Sequence, residues 1–170
     1  MPKPSSGRAP DYIVEEGTCA YGVEVKRPAT ESGAERKLLE AAKQLRDYGV
    51  PGLILMDLSD VCGLHAFAWV TTNVAATRAN ALHRRFNTLS ARLRSLVLDE
   101  KSNRPHPNFE QVLVLFAFAR SCVWIDGPSA GATILAMAAG SAFVSPVRNL
   151  RYWHSIDLVE RTVAGLNAAG

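Results

Sequence analysis

The 170-residue chain has no apolar run long enough to cross a bilayer. Its two candidates, Val112 to Ala119 and Ala130 to Val144, both fall short of the roughly 20 residues a spanning helix needs. Arg120 follows the first and Asp126 precedes the second, so both read as buried elements and no membrane partner is expected. Cysteine is scarce. Cys19, Cys62 and Cys122 are odd in number and lack metal-ligand spacing. With no secretory signal at the start, reduced thiols and a cytoplasmic location are the expectation. The histidines His65, His83, His106 and His154 form no ligand-spaced pair and take no role. No internal repeat is evident. Strong charge bias is also missing: the net charge of +3 permits a polyanionic partner without requiring one.

What is present fits a single domain with a sizeable core, 48% apolar and 21% charged. Residues 1–9 are rich in Pro, Ser and Gly and read as a flexible tail; residues 10–170 form the domain. Pro10 to Lys26 reads as two short strands joined by a tight turn near Thr18. Ser32 to Tyr48 is helical, with Leu38, Ala41, Ala42 and Leu45 as its apolar stripe, Thr30 or Ser32 as cap and Gly49 as stop. Gly52 to Leu58 is a continuous apolar run of strand length, expected to be buried on both faces. The segment Val61 to Val74 is ambiguous, and part of it reads as a further strand.

From Thr77 to Leu98 the pattern is helical, with Leu82, Phe86, Leu89, Leu93 and Leu96 three or four apart. Arg78, Arg85 and Arg92 recur every seven residues on another side. They read either as a solvated face or as a stripe that touches phosphates. Lys101 to Pro107 is a loop. Gln111 to Asp126 is one long strand or two short ones, and a small-residue helix is expected from Ala130 to about Ala142. Pro146 then breaks the chain, and a last helix covers Ser155 to Leu166. Trp69, Trp124, Trp153 and Tyr152 read as core or interface.

The hairpin carries the most chemistry. Residues two apart in a strand share a face, so Glu24 and Lys26 stand side by side while Val25 points away. A turn near Thr18 brings Asp11 opposite residues 24 to 26. Two carboxylates facing each other repel unless a cation sits between them. Hard divalent ions prefer such oxygen ligands, and a nearby lysine can stabilise charge on an attacked phosphate. A cross-strand salt bridge on an ordinary hairpin remains the other reading.

Pro10-Asp11 followed by Glu24-Val25-Lys26 resembles the PD-(D/E)xK motif of the restriction-endonuclease-like nuclease superfamily. Gln44 to Tyr48 (QLRDY) on the next helix is similar to the QxxxY motif of its RecB-like branch. The resemblance covers about residues 10–60. It implies an α/β fold with a mixed central sheet flanked by helices, in αβββαβ order, and Mg²⁺-dependent (or Mn²⁺-dependent) cleavage of DNA more than RNA. It makes Asp11 and Glu24 metal ligands with the Val25 carbonyl as a third. Lys26 becomes the catalytic lysine, and Gln44 and Tyr48 support the site or the substrate. Glu15, on the face of Asp11, is a spare carboxylate. The family core places a helix and a strand before the Asp-bearing strand, and only ten residues precede Asp11 here. That layer is expected to be absent, or to come from the later helices, from a missing partner segment or from a second copy in a homodimer.

Two readings compete. One is a nuclease-fold module that binds or assembles without cutting. The other is a serine hydrolase, because Gly127 to Gly131 (GPSAG) fits the G-x-S-x-G elbow with Ser129 as nucleophile. The segment Asp126 to Gly131 also resembles the region around the serine of Lon-type proteases, although no lysine follows Ser129. As a simple turn, the segment would have Ser129 capping the small-residue helix.

Overall fold

A computed structural model describes residues 8–16, 19–63, 69–70, 72–99, 104–126 and 132–144. Strands β1 (Tyr12–Glu16) and β2 (Cys19–Lys26) form the expected antiparallel hairpin, with Tyr12 opposite Val23 and Glu16 opposite Cys19. Extending that register by one residue sets Asp11 opposite Glu24. Helix α1 spans Glu31–Tyr48, with the Thr30 hydroxyl accepting the Gly33 amide at 3.0 Å. Gly49, at φ 80°, closes it in the left-handed region that favours glycine, its amide donating to the Leu45 and Arg46 carbonyls. The stripe Ala34, Leu38, Ala41, Ala42 and Leu45 is fully buried. Each leucine in it contributes about 1.5–3 kcal/mol.

After α1 the chain enters β3 (Gly52–Asp57), which pairs parallel to β2 with Glu24 beside Ile54 and Lys26 beside Met56. The start of this pairing depends on two glycines. A Cβ on Gly52 would strike the Gly22 carbonyl oxygen, and a Cβ on either residue would come within 2.6 Å of Leu45 Cδ2. The last turn of α1 is thereby seated on the strands two residues before Glu24.

The remaining elements are β4 (Trp69–Val70), α2 (Thr72–Val97), β5 (Leu98–Asp99), β6 (Arg104–Pro105), a 3-10 turn (Pro107–Phe109), β7 (Val112–Asp126) and β8 (Ala132–Val144). The main sheet runs β1-β2-β3-β7, with β4 parallel and β8 antiparallel to β7; β5 and β6 form a separate two-stranded ladder. The protein is thus a mixed α/β fold with a mixed sheet. Both helices join one core cluster with Ile54, Met56, Leu115 and Ala117 from the strands. The opposite face carries a smaller cluster built only of strand residues: Tyr21, Leu53, Leu113 and Val114, with Val14 and Val23 against it. No helix among the described residues is long and apolar enough to cross a membrane.

The small-residue helix expected from Ala130 to Ala142 is a strand instead. Residues 132–144 pair with β7 along its length, from Val114 opposite Val144 to Asp126 opposite Ala132. Alanine favours helix, but the open edge of a long strand offers a row of N–H and C=O groups that another strand satisfies. Helix α2 begins at Thr72 rather than Thr77, and the Gln111–Asp126 region is one continuous strand. The stripe on α2 is buried at Leu82, Phe86, Leu89 and Leu93. Val97 completes it, with Leu96 only partly buried. Most of the tail, the turn at Thr18, Ser129 and the expected last helix Ser155 to Leu166 lie outside the described residues.

Candidate functional site

Asp11, Glu24 and Lys26 meet on the face of the sheet that α1 covers. Glu24 is fully buried beside Ile54, because the strand alternation that points it inward also points Ile54 and Met56 into the core. Its Oε2 accepts a hydrogen bond from Lys26 Nζ. Its Oε1 is buried with no hydrogen-bond partner. Lys26 Nζ also lies 3.4 Å from Asp11 Oδ2, so one ammonium bridges both carboxylates. The same Asp11 oxygen accepts the Val25 amide at 2.8 Å. That bond fixes the carboxylate just before β1 begins.

The environment separates the two acids. Burial pushes the Asp11 carboxyl up, but the Val25 amide and the Lys26 ammonium outweigh it and hold its pKa below the ordinary value of 3.8. At Glu24 burial dominates, and the Asp11 charge adds to it. Lys26 only partly offsets them, so the pKa stands above the ordinary 4.5.

The other expected residues are placed as follows. The Val25 side chain is 44% exposed on the opposite face, while its amide serves Asp11. Glu15 is exposed. Gln44 is half-buried, with Nε2 buried and unpartnered; Tyr48 packs against the main core. Both lie in the end of α1 that Leu45 seats on Gly22, so they flank the hairpin without bonding to its three charged residues. Arg92 pairs with Glu35 and lies 3.8 Å from Glu31, both on α1. Arg85 donates to the Cys62 carbonyl at 3.1 Å. Arg78 is half-buried on α2.

A second polar group lies where β2 and β3 end, beside the middle of β7, and sequence reasoning passes over it. The Ser59 hydroxyl donates to Asp57 Oδ1 at 2.5 Å and accepts the Arg120 amide at 3.0 Å. Arg27 reaches Asp60 at 2.8 Å and Asp57 at 3.9 Å. The signal available was the run Asp57 to Asp60 (DLSD) directly after an apolar strand, a pattern suited to side-chain-bonded turns. Its bonds tie the ends of β2 and β3 to each other and to Arg120 in the middle of β7.

The side-chain oxygens that could meet a hard divalent cation here are those of Asp11 and Glu24. Glu24 Oε1 is a buried oxygen lacking a donor and Asp11 is the second carboxylate, and the one ammonium of Lys26 offsets only one of their two negative charges. Within an extended strand the C=O of a residue points to the same side as its N–H. The Val25 carbonyl therefore faces the side from which its amide holds Asp11. Among the described residues no three His, Cys, Asp or Glu side chains gather into a metal-binding group. A cation here would thus have two carboxylates and would keep several waters, as Mg²⁺ does. Comparison with protein-family models, curated proteins and solved structures finds no match for this chain.

Proposed function

We propose that this protein hydrolyses phosphodiester bonds of nucleic acid, DNA in preference to RNA, through a metal-dependent site of PD-(D/E)xK type. The observation that carries the reading is the convergence of Asp11, Glu24 and Lys26, with one Glu24 oxygen buried and lacking a donor. The order of elements supports it as well: Asp11 directly before the first strand, the Glu-and-Lys-bearing strand, a helix carrying Gln44 and Tyr48, then a buried parallel strand. Under this reading the core is restriction-endonuclease-like.

Asp11 and Glu24 would hold the cation, with the Val25 carbonyl on the same side. A bound Mg²⁺ or Mn²⁺ would supply polarisation of a phosphoryl oxygen and an activated water. Asp11, kept ionised by the Val25 amide and Lys26, is charged throughout the neutral range. Lys26 neutralises Glu24 in the resting site. Once Glu24 faces a cation, the ammonium is available to meet charge developing on the phosphate. Burial of Lys26 to 13% exposure makes that charge effective.

The test is nicking of supercoiled plasmid with Mg²⁺ or Mn²⁺. Asp11→Ala and Lys26→Ala should each lower the rate by at least about 100-fold, the scale on which single electrostatic contributors act. A pure protein that binds DNA yet never cuts it with either metal returns the chain to the alternative of a binding or assembly module. The serine-hydrolase reading loses its context, since a nucleophile elbow needs a helix after the turn and β8 occupies that place.

A further inference from the structure

A cleft of about 220 Å³ opens between the first turn of α1 and the middle of α2, lined by Glu31, Arg84, Arg85, Thr88, Leu89 and Arg92. Positions 84, 88 and 92 are four apart, and 85 and 92 are seven apart, so these residues share one side of α2. Arg92 is engaged with α1, paired with Glu35 and 3.8 Å from Glu31, the one acidic residue lining the cleft. The other two arginines are not balanced. Arg85 uses one nitrogen on the Cys62 carbonyl at 3.1 Å, which holds the guanidinium in place while leaving the rest of its fork unused. Arg84 makes only a long bond from Nε to the Asn80 carbonyl of its own helix, at 3.4 Å. Among the described residues neither has a carboxylate partner. Two planar donor forks over the buried Leu89 side chain suit a tetrahedral oxyanion, which arginine binds in bidentate fashion.

The location gives the anion a source. Glu31 follows Lys26 by five residues, so the cleft opens within about 18 Å of the hairpin site at the reach of an extended chain. Phosphates of one duplex strand follow at about 3.4 Å along the axis. A strand running from Asp11, Glu24 and Lys26 toward the cleft would bring another phosphate to it within about five nucleotides. The geometry points to Arg84 and Arg85 as a phosphate clamp for the nucleic-acid strand, beside the cutting site and separate from it. The choice of nucleic acid as the phosphate source rests on the hydrolytic reading above. The heptad Arg78, Arg85 and Arg92 thus gives way to a different set: Arg78 does not line the cleft and Arg84 does.

The experiment is fluorescence anisotropy of a short labelled DNA duplex with the full chain in EDTA, where no cleavage occurs, over a range of salt. Arg84→Ala should weaken binding about tenfold at low salt and reduce the salt slope by about one, as expected for one lost phosphate contact. Arg85→Gln, which keeps a donor for the Cys62 carbonyl, should do the same. Arg36→Ala, on an exposed arginine outside the cleft and paired with Glu40 at 3.7 Å, should stay within about twofold. Arg84→Ala and Arg85→Gln both behaving like Arg36→Ala would overturn the clamp, as would a wild type that binds no DNA at any salt. A wild type that binds through Arg84 but never cuts would uphold the clamp and sink only the hydrolytic reading.

Discussion

Replacing Lys26 by methionine tests the balance of charge on which the site depends. Methionine keeps much of the apolar stem and removes the ammonium. Glu24, fully buried, then loses its cationic partner and faces Asp11 alone. Breaking a buried pair by removing one member costs about 3–5 kcal/mol. Lys26 is still 13% exposed, so the lower end, about 3 kcal/mol, is expected near pH 8. For a chain of this size that lowers the melting temperature by about 6–12 °C. The pH dependence has a definite sign. Burial already raises the Glu24 pKa, and losing Lys26 raises it further. A group with a raised folded pKa gives stability that is complete below its unfolded value and lost as pH rises through the folded one. The deficit of Lys26→Met should accordingly shrink as pH falls toward 5. A divalent cation should restore part of it, about 1.4 kcal/mol at ten times its dissociation constant. Thermal melts at both pH values, with and without Mg²⁺, read all three effects. A variant as stable as wild type at pH 8 would refute the claim that Lys26 compensates a buried charge.

Two further changes probe neighbouring features. Glu24→Gln removes the group whose raised pKa opposes ionisation on folding. Urea midpoints of this variant should improve relative to wild type as pH is raised from 4 to 8, and an unchanged gap would contradict the burial argument. Gly52→Ala places a methyl against the Gly22 carbonyl and Leu45 Cδ2, both in the seat of α1 on the strands. It should cost more than about 2 kcal/mol in denaturant unfolding, within the range for overpacking; a loss below about 0.5 kcal/mol would show that the strands can part freely there.

Local rules reach far into this fold. The cap at Thr30, the stop at Gly49 and the stripe from Ala34 to Leu45 are set within one helix by spacing and by backbone preference, so α1 is legible before any contact is known. The hairpin is equally local: two residues separate β1 from β2, and their register, carried one residue beyond Tyr12 opposite Val23, puts Asp11 opposite Glu24. The run Ala132 to Val144 is the counterexample. Its alanines favour helix as an isolated segment, and only the unpaired edge of β7, set by the distant packing of β3 and α2, makes it a strand. The seven-residue arginine series shows a similar limit of local rules. Spacing places side chains on a face but does not say which carboxylates stand opposite, and α1 supplies Glu31 and Glu35 to Arg92 alone.

By itself the sequence placed Glu24 and Lys26 on one face, because residues two apart in a strand share a side, and a register that pairs Asp11 with either of them adds it to that face. The tertiary structure decided what that face is. Seating α1 through Leu45 on Gly22 and Gly52 buries Glu24, leaves its Oε1 without a donor and sets the two acids' pKa values apart. It also sets Glu31 and Glu35 against Arg92 and leaves Arg84 and Arg85 without a carboxylate partner among the described residues. Burial and charge compensation are properties of packed elements, and they cannot be read from residue spacing along one of them.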